Sequence, residues 1–312
     1  MSLQPLEFEF SVSGFDCGYG GSYRPLALAN ILQEAAARNA DQLGFGSGAM
    51  TERGLTWMLS RMDLCVDRPL LEGKRYLVRT WPSGFEKMFA VRDFQIIDAE
   101  AGGLSMVRAS WAYLVIDLAA RRPLRAANNF GTELICDAGR ILPDAVFAVP
   151  ATASDDWQES FEQTAMERHI DHNGHVNSAH LIAWLCDAPP LELRGVATAG
   201  AVGGAAAAAT AGPGSTAASR DSTAPDAYQR ADSGTAITKA GPASGPQVGQ
   251  LARLRVEFAQ EARRGDRLTA EWSSLPPQDQ PPSAVHPTAA QGQLCRLRRG
   301  TDICARAELY WL

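Results

Sequence analysis

Paired cysteines and long apolar runs are both missing from this chain. Its 6 cysteines are scattered among 312 residues without a C-x-x-C spacing, which fits neither a disulfide framework nor a zinc site. No stretch approaches the roughly 20 apolar residues that a membrane span requires. Residues 1–12 also lack the apolar core of a signal peptide. We therefore expect reduced thiols, no structural metal and a cytosolic protein.

An excess of positive charge is missing as well. The formal net charge is -6, which argues against a nucleic-acid-binding protein, because such proteins present a basic surface. Apolar residues make up 46% of the chain, enough to build one large core or two modest ones. The composition therefore predicts a globular protein.

The first part of the chain predicts one long helix among antiparallel strands. Residues 6–12 alternate between apolar and polar side chains, as in a strand with one buried face. Apolar residues over 23–43 recur at helical spacing, with Pro25 in an early turn and Gly44 as a stop. Strand-like runs follow at 56–66, 75–81, 88–97 and 105–118. This order predicts an antiparallel sheet wrapped around a single helix.

The same order of elements returns in the second half. A short strand and a polar loop precede a helix at 178–186, and strand-like runs follow at 251–258, 266–274, 292–298 and 302–311. We therefore expect an α+β chain of two fused units that form a pseudo-dimer. The expected divisions are an N-terminal unit at 1–130, a linker at 131–160 and a C-terminal unit at 161–312.

Residues 195–248 differ in composition from both units. They are mostly Ala, Gly, Ser and Thr, with few large apolar side chains. Such a segment buries too little surface to offset the entropy of ordering it. We expect a flexible insertion in the C-terminal unit.

Groups that handle protons are concentrated just before the second helix. Asp171, Asn173 and His175 precede Asn177, which we expect to cap the helix by accepting a free backbone N–H. The positive end of the helix dipole favours a carboxylate or a developing oxyanion there. A purely structural capping network is the alternative interpretation. Metal binding by the nearby histidines is disfavoured, because no carboxylate or thiolate has a matching spacing.

Several motifs, in this order along the chain, resemble those of the acyl-ACP thioesterase family. They are Leu32-Gln33-Glu34-Ala35-Ala36, Gly54-Leu55-Thr56-Trp57, Thr80-Trp81-Pro82, Arg92-Asp93-Phe94, Asp171-x-Asn173-x-His175-Val176-Asn177 and Glu257-Phe258-Ala259-Gln260-Glu261. The resemblance covers nearly the whole chain except residues 195–248. It implies two fused hotdog units, each a long helix wrapped by an antiparallel sheet. It also implies hydrolysis of fatty acyl-acyl carrier protein thioesters in fatty acid biosynthesis, without cofactor or metal.

The resemblance also implies roles for four residues. Asp171 would attack the thioester or orient a water molecule, while Glu261 and His175 would handle protons. Asn173, with a helix-terminal N–H, would hold the thioester carbonyl. A solvated surface glutamate is the alternative for Glu261. The family often has a cysteine after that glutamate, but this chain has Ala262, so a thiolate nucleophile is excluded at that position.

Only the second unit has the polar residues Asp171, Asn173 and His175 of the motif. If Asp16 is placed against Asp171, the first unit has Gly18 and Gly20 in the positions of Asn173 and His175. We therefore expect one active site per chain, with the first unit shaping the acyl pocket.

The expected partner is an acyl carrier protein bearing a fatty acyl-phosphopantetheine. Arginines could steer this acidic partner, or they could form an ordinary solvated basic face; they are Arg121, Arg122, Arg253, Arg255, Arg263, Arg264, Arg267, Arg298 and Arg299. An acyl-CoA thioesterase, a hotdog enoyl hydratase and a non-catalytic acyl-binding protein are alternatives. The hydratase motif has a proline between its Asn and His, which is absent here. The oligomeric state is left open, with a homodimer as one alternative.

Overall fold

In the computed structural model of the protein, the described residues are 3–18, 21–142, 154, 156–194, 249–275 and 292–311. The predicted insertion at 195–248 lies outside them, as does Gly20. The boundaries of the predicted linker at 131–160 stay a prediction.

The first unit comprises residues 6–124. Its helices are α1 (Pro25–Gln42) and α2 (Ser47–Glu52). Its strands are β1 (Leu6–Ser11), β2 (Leu55–Val66), β3 (Arg75–Glu86), β4 (Phe89–Asp98), β5 (Leu104–Asp117) and β6 (Arg122–Leu124).

The second unit comprises residues 158–311. It contains one α-helix in its described residues, α3 (Ser178–Asp187). Its strands are β7 (Gln158–Thr164), β8 (Leu251–Phe258), β9 (Arg267–Ser274), β10 (Gln293–Arg299) and β11 (Asp302–Trp311).

The strands of both units form one continuous antiparallel sheet. Its order is β1-β3-β4-β5-β2-β8-β11-β10-β9-β7, and β6 pairs with β5. Read from its outer edge, each unit has the same topology, and the units meet where β2 pairs with β8. The predicted repeat of a helix wrapped by an antiparallel sheet is confirmed.

Helix α1 has the amphipathic pattern that its sequence predicted. Pro25 stands at its first turn, and Gly44 follows its end with a left-handed φ of 76°. Leu28, Leu32 and Ala35 recur at spacings of three or four residues and are buried. They belong to one core cluster that also contains buried residues of α3 and β8. Burial of each large side chain contributes about 1.5–3 kcal/mol.

Strand β3 is longer than predicted. The predicted run ends at residue 81, but the strand continues through Pro82 and Gly84 to Glu86, with a bulge between these two residues. Strand β1 pairs with β3 only as far as Thr80. Beyond that point β3 is an edge strand, where a proline without an N–H is tolerated. The short helix α2 and strand β6 were not predicted.

A buried ion network joins the units at the β2–β8 junction. The Arg253 guanidinium donates to both oxygens of the fully buried Asp63, at 2.9 and 2.7 Å. Arg255 lies 3.5 Å from the same carboxylate and 3.0 Å from Glu308. Both arginines were candidates for steering a carrier protein. That expectation is wrong for them, because their charges are buried and paired.

Among the described residues, no helix has the length and the apolar character of a membrane span.

Candidate active site

The structure brings His175 and Glu261 into direct contact. His175 Nε2 lies 3.0 Å from Glu261 Oε2, with both side chains partly exposed. The backbone explains this contact, because the Val176 N–H donates to the Ala262 carbonyl at 2.7 Å. The loop before α3 is thus tied to the segment after β8, and the two side chains meet at that point. A carboxylate in this position fixes the tautomer and orientation of an imidazole.

Asp171 organises the same loop. Its Oδ1 accepts the backbone N–H groups of Asn173 at 2.8 Å and His175 at 3.2 Å. Its own N–H donates to the His175 carbonyl at 2.8 Å. Gly174 adopts a φ of 78°, which favours glycine at this turn. The Asp171 carboxylate therefore holds the backbone of His175 in place. This is the kind of contact that the alternative interpretation, a structural capping network, predicts.

Asn173 is placed differently from the other three candidates. Its backbone N–H is held by Asp171, while its side chain is exposed at the tip of the turn. The structure thus brings together Asp171, His175 and Glu261, and it leaves the Asn173 amide facing outward beside them.

The start of α3 connects this loop to the first unit. Asn177 Oδ1 accepts the Ala179 N–H at 2.8 Å, which confirms the predicted cap. Gln33 of α1 also donates to Asn177 Oδ1, at 3.1 Å, and to Ser178 Oγ, at 2.8 Å. Gln33 was not predicted as a site residue. The available signal was a carboxamide beside the buried Leu32 within a motif that resembled the family.

Gln33 also lines an apolar cavity of about 340 Å³ in the first unit. We call this the α1 cavity. Helices α1 and α2 and strands β2 to β5 enclose it, and its walls include Ala36, Ala40, Phe45, Trp57, Val91 and Phe130. Arg92 lies in its wall and donates to Asn39 at 2.6 Å. Burial lowers the pKa of Arg92 to about 10, so this residue remains charged at neutral pH.

Two other histidines of the motif, His169 and His180, pack against Trp184. His169 is buried, and its ring lies 4.9 Å from that of His180 and 5.0 Å from that of Trp184. Burial lowers the pKa of both His169 and His180, and the positive charge of Arg168 acts in the same direction. Within the described ranges, no group of three or more His, Cys, Asp or Glu side chains could hold a metal ion.

The loop before α1 has the same backbone hydrogen bonds as the loop before α3. Gly18 N–H donates to the Ser22 carbonyl at 2.8 Å, as Asp171 does to that of His175. Tyr23 N–H donates to Leu70 and Arg24 N–H to Asp16, as Val176 does to Ala262 and Asn177 to His169. These bonds pair the loops residue by residue: Gly18 with Asp171, Ser22 with His175, Leu70 with Ala262 and Asp16 with His169.

The predicted alignment of the two loops is therefore wrong by two residues. Asp16 is the counterpart of His169, and Gly18 is the counterpart of Asp171. Because Leu70 matches Ala262, the residue before it, Pro69, matches Glu261. The functional interpretation survives this correction, since glycine, serine and proline in the first unit replace the carboxylates and imidazole of the second.

Exposed arginines lie around the candidate site. The side chains of Arg264 and Arg267 are both 75% exposed, and each forms a surface ion pair, with Glu167 and Glu162 respectively. Arg263 is 59% exposed and lies 3.4 Å from Glu261. Such pairs contribute little to stability. These three arginines are therefore accessible to a partner.

The first unit of the chain matches a known protein family. Residues 6–134 match the acyl-ACP thioesterase N-terminal domain. The chain is 27% identical over 201 residues to a chloroplastic palmitoyl-acyl carrier protein thioesterase of Gossypium hirsutum, covering 59% of this chain and 47% of the relative. The resemblance to the acyl-ACP thioesterase family is confirmed. The chain spans about half the length of the curated relatives it matches. Those relatives are named as chloroplastic, and a cytosolic location of this chain stays a prediction.

Solved structures confirm the double hotdog fold. An acyl-ACP thioesterase of Bacteroides thetaiotaomicron superposes with a TM-score of 0.69 at 20% identity, covering 98% of this chain and 97% of the other. The 12:0-ACP thioesterase of Umbellularia californica superposes with a TM-score of 0.67 at 17% identity, covering 99% and 94%. At these identities the likeness establishes the architecture.

Proposed function

We propose that the protein hydrolyses fatty acyl-acyl carrier protein thioesters to free fatty acid and carrier thiol. The contact between His175 and Glu261 carries this proposal. An imidazole in contact with a carboxylate at the entrance of α3 supports the roles of base and orienting group, in a chain that resembles acyl-ACP thioesterases. Hydrolysis requires such a base together with a group that stabilises the oxyanion.

In the proposed reaction, water is the nucleophile. Glu261 accepts the Nε2–H of His175, so that Nδ1 removes a proton from the water as its oxygen bonds to the thioester carbon. The carbon–sulfur bond then breaks, and the leaving sulfur takes the proton from the imidazolium. The products are a carboxylic acid and a thiol, so atoms and charges balance.

Asp171 and Asn173 have supporting roles in this proposal. Asp171 Oδ1 already accepts two backbone N–H groups, which supports a role in holding the loop and orienting water over direct attack. The Asn173 amide would donate to the oxyanion, beside the positive end of α3. Donors at a helix N-terminus suit this charge.

The acyl chain would occupy the α1 cavity. Its walls are mostly apolar, and its volume of about 340 Å³ falls within the range of small-molecule sites. Gln33 lines this cavity and contacts Asn177 and Ser178. The first unit would thus shape the acyl pocket, and the second would supply the reacting groups.

The exposed arginines favour an acyl carrier protein over coenzyme A as the acyl carrier. Arg263, Arg264 and Arg267 lie beside the site and are accessible. Carrier proteins are acidic, and complementary surface charge speeds encounter between proteins.

The direct test is release of free thiol from matched panels of acyl-ACP and acyl-CoA of increasing chain length. We expect turnover of acyl-ACP, with a higher kcat/KM than for acyl-CoA of the same chain. Glu261→Gln is the matched control and should be nearly inactive. Equal or better use of acyl-CoA would indicate a CoA thioesterase. Tight acyl-ACP binding without thiol release would indicate a non-catalytic acyl-binding protein.

A further inference from the structure

The chain that follows β6 wraps around the edge of the sheet at β3. We call residues 130–142 the strap. Near its start, Leu134 and Ile135 line the α1 cavity. The Cys136 N–H then donates to the Pro82 carbonyl at 2.9 Å, on the part of β3 that lies beyond its pairing with β1. The strap therefore begins inside the cavity and passes around the sheet edge.

The later part of the strap lies on the opposite face of the sheet. Side chains alternate between the two faces of a strand, so Asp93 faces away from the cavity that Arg92 lines. Its cross-strand partner Trp81 shares that outer face, and the Trp81 indole N–H donates to the Gly139 carbonyl at 2.8 Å. Asp93 Oδ2 accepts the Ile141 N–H at 2.6 Å. Two side chains of the outer face thus hold the strap.

Asp93 is well placed to fix the position of the strap. Its side chain is fully buried, and its Oδ1 accepts the Ser110 hydroxyl at 2.6 Å. Ser110 holds one carboxylate oxygen, so the other stays directed at the Ile141 N–H, with Arg140 of the strap 3.7 Å from it. A buried N–H without a partner is costly, so this bond strongly favours one position of the strap. The proposed reaction does not use Asp93, although it lies in the motif Arg92-Asp93-Phe94.

The strap closes the end of the α1 cavity that lies far from the candidate active site. Gln33 lines the cavity where it contacts the start of α3. The last residue of α1, Gln42, is about 14 Å farther along the helix axis, at a rise of 1.5 Å per residue. Just beyond it, the Phe45 ring lies 5.1 Å from that of Phe130, and Leu134 packs against the same cluster. A chain that enters from the candidate active site would therefore end against the strap.

We propose that the strap sets the longest acyl chain that the protein accepts, and that Asp93 is the positioning residue that holds it. Asp93 acts through the strap, because it binds this segment on the outer face while Leu134 and Ile135 meet the end of the acyl chain on the inner face. This inference rests on the proposed function, since it takes a fatty acyl chain as the occupant of the α1 cavity.

The dependence of activity on chain length, measured with a series of acyl-ACP substrates, tests this inference. Asp93→Ala removes the acceptor of the Ile141 N–H, so the strap should move away from the cavity. We compare kcat/KM for a chain two carbons longer than the wild-type optimum with kcat/KM for that optimum. Their ratio should rise about tenfold, because pocket contacts discriminate single methylenes by about tenfold or more. The change should lie in KM, with kcat for the optimal chain within about twofold of wild type.

Matched variants separate positioning from general destabilisation. Ile135→Ala shortens the cavity wall without touching Asp93 and should shift the chain-length preference in the same direction. Asp93→Asn keeps an oxygen for the Ile141 N–H and gains an amide that can donate to the Ser110 hydroxyl, so it should retain the wild-type preference. Ser110→Ala removes the other bond of Asp93, away from the strap. It should lower the melting temperature without changing the preference.

Hydrogen exchange of the strap provides a readout that does not depend on hydrolysis. Exchange in peptides covering 130–142, followed by mass spectrometry, should be faster in Asp93→Ala and unchanged in Ser110→Ala. Saturated fatty acids of increasing length should slow this exchange up to a limiting length, which should be longer in Asp93→Ala. A wild type that released no thiol from any acyl-ACP would refute the proposed function. The fatty-acid series would then decide the inference, because exchange that no fatty acid slows would overturn it.

Three results of the kinetic comparison would overturn the inference. One is an unchanged chain-length preference in folded Asp93→Ala or Ile135→Ala protein. Another is a uniform loss of activity at every chain length, which would give Asp93 a structural role alone. The third is a preference in Asp93→Asn that is shifted as far as in Asp93→Ala. Thermal melting establishes that each variant folds; if Asp93→Ala does not, Trp81→Phe, which removes the donor to Gly139, takes its place with a smaller shift in the same direction.

Discussion

The loops before α1 and α3 share one backbone and differ in their chemistry. Each has the same ladder of backbone hydrogen bonds to its own helix entrance and to the strand segment beside it. The second loop places Asp171 and His175 on that frame, whereas the first has Gly18 and Ser22. The comparison teaches that the frame shared by the two loops consists of backbone bonds, to which Asp171 adds two side-chain bonds in the second loop. Catalytic capacity depends on the side chains that the frame carries.

The cavities beside the two loops also differ in the side chains that surround them. The α1 cavity is linked through Gln33 to the polar loop of the second unit. A second cavity, of about 480 Å³, is lined by Gly18, Ser22 and Pro69 of the first unit and has no carboxylate and imidazole pair among its described lining residues. Each unit thus contributes a helix to the site formed with the other unit's loop. We propose that hydrolysis takes place at one of these two sites.

The largest expected effect comes from removing the two candidate carboxylates, one in the second loop and one in the segment after β8. Asp171→Asn and Glu261→Gln should each lower kcat on the order of 10²-fold or more. The amide introduced by Asp171→Asn would keep an oxygen that accepts the two backbone N–H groups, so the loop should persist. Steady-state thiol release with circular dichroism checks both. Near wild-type kcat in folded protein would show that these carboxylates are not part of the reaction.

A smaller loss is expected when the link between the units is broken. Gln33→Glu keeps the size of the side chain but loses its donors to Asn177 and Ser178. We expect kcat to fall about tenfold, because each such hydrogen bond contributes about 1 kcal/mol to positioning. Glu34→Gln, on the exposed face of the same helix, is the matched control. Equal activities of the two variants would separate Gln33 from the site.

Much of this fold could be predicted from the sequence, because its signals are local. Pro25 and Gly44 mark the ends of α1, and alternation marks most strands. The two-residue error in aligning the loops arose because Asp16 and Asp171 are both aspartates and were aligned on that identity. Backbone bonds, which the sequence does not display, instead pair Asp16 with His169. The contact between His175 and Glu261 was likewise beyond local patterns, since it depends on how β8 lies beside the loop.

The exposed arginines should have a moderate effect that depends on salt. Arg264→Gln combined with Arg267→Gln should lower kcat/KM for acyl-ACP several-fold at low salt while kcat holds, because surface charge acts mainly on encounter. Arg121→Gln with Arg122→Gln removes the same charge at the exposed start of β6 in the first unit. Steady-state kinetics at two salt concentrations compares the pairs. The same loss in both would indicate a general effect of net charge.

The smallest effect concerns the buried histidine pair beside the second loop. Burial lowers the pKa of His169 and His180, so the unfolded chain takes up protons that the folded chain does not. Their contribution to stability is therefore complete above the ordinary value of about 6.5 and is lost as pH falls toward the lowered pKa values.

His180→Phe tests this origin of the pH dependence. The variant keeps a ring beside Trp184 but cannot take up a proton. Urea unfolding at pH 7.5 and pH 5 should therefore show a smaller loss of stability than in the wild type. An identical loss in both proteins would assign the pH dependence to other groups.

The central claim is that hydrolysis requires the loop before α3 and does not require the loop before α1. One pair of variants, assayed in parallel, tests this claim most directly. His175→Ala removes the imidazole of the second loop, and Asp16→Asn removes the exposed carboxylate of the first. Both are assayed for thiol release from acyl-ACP, with thermal melting of each protein. We expect kcat to fall on the order of 10²-fold or more for His175→Ala and to stay within about twofold of wild type for Asp16→Asn. Comparable losses in the two folded variants, or an active His175→Ala protein, would contradict the claim.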